Sequence, residues 1–161
     1  MLNQLHLAML ELYKGDAKRI QHFCKVHSYA KLIAECENVD KETLFILEAA
    51  ALTHDIGIHL CEEKYGDCSG KLQEKEGPAI AARLLGELGF EKQVSERVQY
   101  LIAHHHTYQN IDGLDYQILV EADFLVNLFE DNLSKEAAVN ACQSIFKTET
   151  GKRICKEMFA L

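Results

Sequence analysis

The chain has 161 residues, a formal net charge of −8 and an apolar share of 48%, which suits one domain burying a core without disulfides. That charge, with no run of lysine and arginine to gather positive potential on one face, argues against nucleic-acid binding; a small phosphorylated ligand bound through a metal stays compatible. The six cysteines show no two-residue spacing, a reduced intracellular pattern that sets the expectation of a cytoplasmic protein.

Nine glycines and one proline leave few breaks, so long helices with short connections are expected. Leu2, Leu5, Met9 and Leu12 recur at helical spacing over residues 2 to 14. Asn3, Gln4, His6 and Glu11 interrupt that stretch, and it lacks a basic start or a small-residue cleavage site, so it reads as a helix and not as a signal sequence. Gly15 ends it, and Asp16 caps a second helix to about Glu37, with Ile20, Phe23, Val26, Ala30, Ile33 and Ala34 on its apolar side. This helix carries His22 and His27.

Asp40 opens a third helix that runs to about His54. Its residues 44 to 52 are apolar on nearly every side, which makes it central and buried, and no apolar run approaches the roughly eighteen residues needed to span a bilayer. Between Gly57 and Gly77 the sequence turns polar and glycine-rich, predicting a long irregular connection over one end of the site. Pro78 fits the first turn of a helix to about Leu88, Gly89 stops it, and a further helix from Glu91 ends in His104-His105-His106. Asn110 to Gly113 is a turn, Tyr116 to Asp131 a helix carrying Asp123, and residues 134 to 147 and 149 to 160 give two closing helices. The fold class is all-α, a compact bundle of about seven helices in one domain over 1–161, its motif-bearing core at about 16–130 and its closing helices at 134–160.

Chemistry concentrates at Thr53-His54-Asp55-Ile56-Gly57-Ile58, where the apolar helix gives out. A buried charge must be paired or metal-bound, and an imidazole beside a carboxylate offers two ligand types to one divalent cation. Each candidate taken alone has a structural explanation. Together His22, His54-Asp55, the His104 to His106 run and Asp123 lie on helices or their ends, so several helices can converge on one point, as bundles build metal sites.

These residues resemble the HD-domain superfamily of metal-dependent phosphohydrolases, over roughly Asp16 to Glu130. Arg19-Ile20-Gln21-His22, followed at helical spacing by Val26, Ala30 and Ala34, looks like its first motif; Leu52 to Gly57 looks like the His-Asp doublet and Glu121-Ala122-Asp123-Phe124-Leu125 like the last motif. Leu101-Ile102-Ala103-His104-His105 is similar to an accessory motif. The resemblance implies an HD-domain helical bundle with His22, His54, Asp55 and Asp123 as ligands to one divalent ion: manganese, iron, cobalt or nickel first, magnesium or zinc also compatible. His27 lies about 140° around the helix from His22, so only one of them can face a given point, and the motif spacing favours His22.

The activity implied is hydrolysis of a phosphate ester or anhydride of a nucleotide or related small molecule. Asp55 would accept the proton of the attacking water, while His104 or His105 and Arg19 steady the leaving group. Successive helical residues turn by about 100°, so at most two of the three histidines can face the site. Members with two metals carry a further histidine where this chain has Gln73, which favours one ion, and Ile58 stands where many members have lysine or a catalytic glutamate. Lys64 and Lys71 are further candidate phosphate contacts, and His59, Cys61 and Cys68 do not complete a closed zinc site. The expected partner is a small phosphorylated, nucleotide-like substrate, with no membrane and no nucleic acid, and a homodimer is possible. A non-catalytic metal- or nucleotide-binding module, or a di-iron oxygenase of the same fold, are the alternatives.

Overall fold

The computed structural model describes residues Met1–Leu161, and all of its regular structure is helical. The nine helices are α1 (Leu2–Leu12), α2 (Ala17–Cys36), α3 (Lys41–Thr53), α4 (Ile58–Tyr65), α5 (Gly70–Glu87), α6 (Lys92–Ile102), α7 (Leu114–Glu130), α8 (Lys135–Ser144) and α9 (Glu149–Phe159). Carboxylates and hydroxyls start several of them: Asp16 accepts from the Arg19 N–H, Asp40 from those of Glu42 and Thr43, Ser134 from Ala137 and Thr148 from Gly151.

Helix α3 is the centre of the bundle, packed against α1, α2, α6 and α7. Every residue from Ile46 to Thr53 is buried, as expected of a helix that is apolar all round. The stretch Lys41–Tyr65 is long and apolar enough by composition to cross a membrane, but it is broken into α3 and α4, and 72% of its most apolar window is buried inside the bundle. Helices α2 and α7 clasp one side of α3, and α5 pairs with α6 on another.

The all-α expectation holds, with nine helices in place of about seven. The difference lies in residues 57 to 77, which form no long irregular connection: α4 occupies most of the first half, and α5 begins at Gly70. Its buried stripe is Gln73, Gly77, Ala81 and Leu85, a period-four face whose first half carries an amide and a glycine in place of aliphatic side chains. Pro78 therefore lies inside α5 and not in its first turn. A proline inside a helix loses one backbone bond and crowds the residue before it, and that residue is Gly77, which has no Cβ to clash.

The same glycine lets two elements touch. A Cβ on Gly57 would lie 3.0 Å from the Gly77 nitrogen and 3.1 Å from its Cα, and a Cβ on Gly77 would lie 2.8 Å from Ile102 Cγ2. The turn after α3 thus lies directly on the backbone of α5, which brings Asp55 and the start of α5 to one place.

Candidate metal centre

Three elements deliver the first group of side chains. His22 comes from α2, His54 and Asp55 from the turn that ends α3, and Asp123 from the middle of α7. The Nε2 atoms of His22 and His54 are 3.1 Å apart. Asp123 Oδ1 lies 3.3 Å and 3.6 Å from them, and Asp55 Oδ2 lies 3.4 Å and 3.5 Å away.

The far side of each ring fixes where its proton sits. His54 Nδ1 is 2.9 Å from the Ala51 carbonyl, and His22 Nδ1 is 2.9 Å from Glu130 Oε2. Both partners can only accept, so each Nδ1 carries a hydrogen and each neutral ring turns its Nε2 lone pair inward. Two imidazole lone pairs and two carboxylate oxygens then converge, an arrangement that only positive charge can relieve. Nitrogen and oxygen donors oriented from behind in this way suit a borderline divalent metal.

Protonation levels respond to the same field. Burial opposes charge on His54, but the carboxylates of Asp55 and Asp123 outweigh it and raise its pKa to about 9; His22 is raised for the same reason. Burial likewise pushes the Asp55 carboxyl up, yet the His54, His105 and His22 rings hold it down to about 2, and Asp123 lies well below the usual range. Without a metal, the cluster draws in protons.

A second group adjoins the first through Asp55. Helix α6 ends at Ile102, and the turn that follows brings His105 and His106 to Asp55, ligand atoms of all three lying within 4.8 Å of one another. His105 Nδ1 donates to the Ile102 carbonyl at 2.7 Å, leaving its Nε2 lone pair 3.6 Å from Asp55 Oδ1. That Nε2 is the one buried side-chain polar atom in the protein with no hydrogen-bond partner. His106 Nε2 meets Gln73 Oε1 at 3.2 Å, and burial followed by the neighbouring His105 lowers its pKa to about 4. Glu74 accepts from the His106 N–H at 3.1 Å and from the Thr107 hydroxyl at 2.8 Å, which holds the turn.

Of the two histidines that the sequence offered, the structure brings His105 to Asp55 and not His104. His104 lies with Tyr100, its Nδ1 donating to the Tyr100 carbonyl at 2.7 Å and its ring stacked on Tyr100 at 4.2 Å, and it belongs to neither group. His106, to which the sequence assigned no role, sits with Asp55. The reason is local: these residues form a turn and no longer a helix, so neighbouring side chains escape the helical rotation and the rings of His105 and His106 lie 4.0 Å apart.

Arg19 pairs with Asp16 at 2.5 Å and with Glu62, and it lines a cleft of about 430 Å³ with Lys18, His22, Asp55 and Gln73. A larger cavity, about 720 Å³, lies around Asn38, Thr43, Arg97 and Asp115 and contains none of these groups. His27 is bound to Glu48 at 3.0 Å, Lys64 to Glu76 and Lys71 to Glu74. His59 Nε2 donates to Asp16 Oδ2 at 3.1 Å and belongs to neither group of candidate ligands.

Three supporting residues escaped the sequence reading. Tyr13 donates its hydroxyl to the Asp55 carbonyl at 2.7 Å, Asn127 donates to Asp123 Oδ1 at 2.9 Å, and Glu130 holds His22. Asn127 and Glu130 follow Asp123 by four and seven residues on α7, a helical stripe visible in the sequence. Tyr13 has no such signature.

The fold and the site together define an all-α domain that presents a converged His/Asp cluster able to hold a divalent metal. Residues 19–141 match the HD domain, and the chain belongs to that family. It is similar to a solved structure described as a predicted HD superfamily hydrolase from an uncultured Thermotogales bacterium, with 26% identity and a TM-score of 0.71 over 98% of this chain and 84% of that one. No curated protein matches the sequence.

Proposed function

We propose that this protein is a metal-dependent phosphohydrolase that cleaves a phosphate ester or anhydride of a small, nucleotide-like molecule. The observation that carries the reading is the convergence of the His22 and His54 Nε2 atoms, 3.1 Å apart, with Asp55 and Asp123, beside a cleft that His22 and Asp55 line together with Lys18 and Arg19. The description of the Thermotogales relative as a predicted hydrolase supports it.

His22, His54, Asp55 and Asp123 would hold the ion, fitting it through inward-facing lone pairs and carboxylate oxygens. When bound, a divalent cation supplies neutralising charge to the phosphoryl oxygens and lowers the pKa of an attacking water. The remaining steps belong to the chain. Arg19 and Lys18, which line the cleft, bind the incoming phosphate. Asp55 turns Oδ2 toward the histidine pair and Oδ1 toward His105, so Oδ1 is the oxygen placed to take the proton of the nucleophile. His105 Nε2, 3.6 Å away with a free lone pair, can relay that proton or return it to the leaving group, and His106 lies beside it.

One ion is the primary reading. A second ion, held by Asp55, His105 and His106, is favoured by one observation, the partnerless His105 Nε2. Metal analysis after loading with manganese, nickel or cobalt counts the ions, and a panel of phosphate esters and anhydrides tests turnover. Asp55→Ala and His54→Ala should each abolish the metal-dependent activity while helical circular dichroism persists; retained activity in either variant would overturn the reading.

A further inference from the structure

Arg19 enters the cleft with its guanidinium already taken at both ends. Nη1 donates to Asp16 Oδ2 at 2.5 Å, and Nη2 donates to Glu62 Oε1 on α4. Arg19 nevertheless lines the same cleft as His22 and Asp55, so a phosphate brought to the metal cluster gains its fork only by displacing one of the two carboxylates. The two are not equally free to leave.

Asp16 is committed elsewhere. It accepts the Arg19 N–H at 3.2 Å as the cap of α2, the helix that carries His22, and it accepts from His59 Nε2 at 3.1 Å. His59 is held in turn against Tyr13, their ring centroids 4.3 Å apart. Glu62 has no such ties: Arg19 is the one group its carboxylate touches, and its side chain is 45% exposed against 21% for Asp16. Its position is also directed. Glu62 follows Ile58 by four residues on α4, so the two share a helix face, and Ile58 lines the cleft.

We propose that Glu62 is a displaceable latch on Arg19: its carboxylate occupies the guanidinium until a phosphate oxygen takes its place, and so sets the phosphate affinity of the cleft. The exchange is favourable in kind. Glu62 meets Arg19 through a single oxygen, whereas a phosphate carries more charge and can accept from a guanidinium through two. Asp16 stays where it is, keeping α2 capped and Arg19 aimed. Glu62 acts through Arg19 and is a positioning residue, distant in role from the groups that would hold the metal. The inference rests on the phosphohydrolase reading, because it needs a phosphate group at Arg19.

Inorganic phosphate is the probe, titrated into magnesium-loaded protein and followed by phosphorus NMR. Glu62→Gln should tighten phosphate binding by roughly fivefold, the factor by which a partly exposed ion pair of ordinary strength withholds its guanidinium. A gain in affinity is a result that mere loss of a structural contact would not give. Glu63→Gln removes the same charge from the next residue, exposed and turned about 100° away around α4, and should leave the affinity unchanged. Arg19→Ala should weaken phosphate binding, and in that background Glu62→Gln should bring no gain, since the two residues act as one pair. Unchanged affinity in Glu62→Gln, an equal gain in Glu63→Gln, the same gain without Arg19, or no phosphate binding by either the wild type or Glu62→Gln would each overturn the latch. Glu62-dependent phosphate binding without turnover of any phosphate compound would instead count against the phosphohydrolase reading and leave the latch standing.

Discussion

At the scale of single residues, the cluster is defined by a surplus of electron density that some positive charge must answer. His54 shows the consequence most directly, since its ring is fully buried and its pKa is raised to about 9 by Asp55 and Asp123 against the opposing effect of burial. Its folded pKa therefore lies above the unfolded value of about 6.5. The proton stabilises the metal-free fold fully below that value, and the contribution is lost as pH rises through about 9. Asp55 and Asp123, whose pKa values are depressed, stay ionised throughout this window and add no slope of their own. Chelator-treated protein should accordingly melt at a lower temperature at pH 9 than at pH 6.5. Protein loaded with nickel or manganese should not follow that trend, because metal and proton compete for the same Nε2 atoms. Thermal melts across this range check it, and identical pH profiles with and without metal would show that His54 does not serve the ion.

At the scale of elements, the turn at Gly57 and the helix at Gly77 decide whether Asp55 can reach its partners. Gly57→Ala places a methyl group 3.0 Å from backbone that cannot step aside, so it should destabilise the protein by about 1–3 kcal/mol, the usual cost of overpacking. Gly86 makes the control. It lies in α5 with nothing within 4 Å of an added Cβ, and Gly86→Ala should stabilise by about 0.5–1 kcal/mol through helix propensity. Urea denaturation of the two variants should thus move in opposite directions. These glycines also mark the limit of what was legible in the sequence. Long periodic helices such as α2 and α7 announce themselves, and so do His22 and Asp123 at their inner faces. Helix α5 does not, because its buried stripe contains Gln73 and Gly77, and an interior proline normally argues for a helix start. His105 was among the candidates the sequence offered, but its pairing with His106 and not with His104 was out of reach, since a turn in place of a helix changes which neighbours share a face.

At the scale of the whole molecule, the closing hairpin α8–α9 lies outside the metal cluster yet is fastened to the helix that carries Asp123. The fastener is Glu121, two residues earlier on α7 and fully buried. Its Oε1 accepts from the Lys147 N–H at 2.6 Å, the Thr148 N–H at 2.9 Å and the Gln117 amide at 2.7 Å, and its Oε2 accepts from the Thr148 hydroxyl at 2.5 Å. Gly151 leaves the space for it, since a Cβ there would come within 2.7 Å of the Thr148 hydroxyl and collide with Glu121 outright. A carboxylate is the right group here because every partner donates. Glu121→Gln keeps the shape but turns an NH₂ toward at least one donor and removes the charge that strengthens the others, so a loss of about 1–3 kcal/mol is expected. If α8–α9 braces α7, limited proteolysis of the variant should cut first between residues 131 and 148, while metal binding, held by side chains on α2, α3 and the inner face of α7, weakens only as the fold loosens. A variant as stable and as protease-resistant as the parent would show that the hairpin merely rests on the bundle.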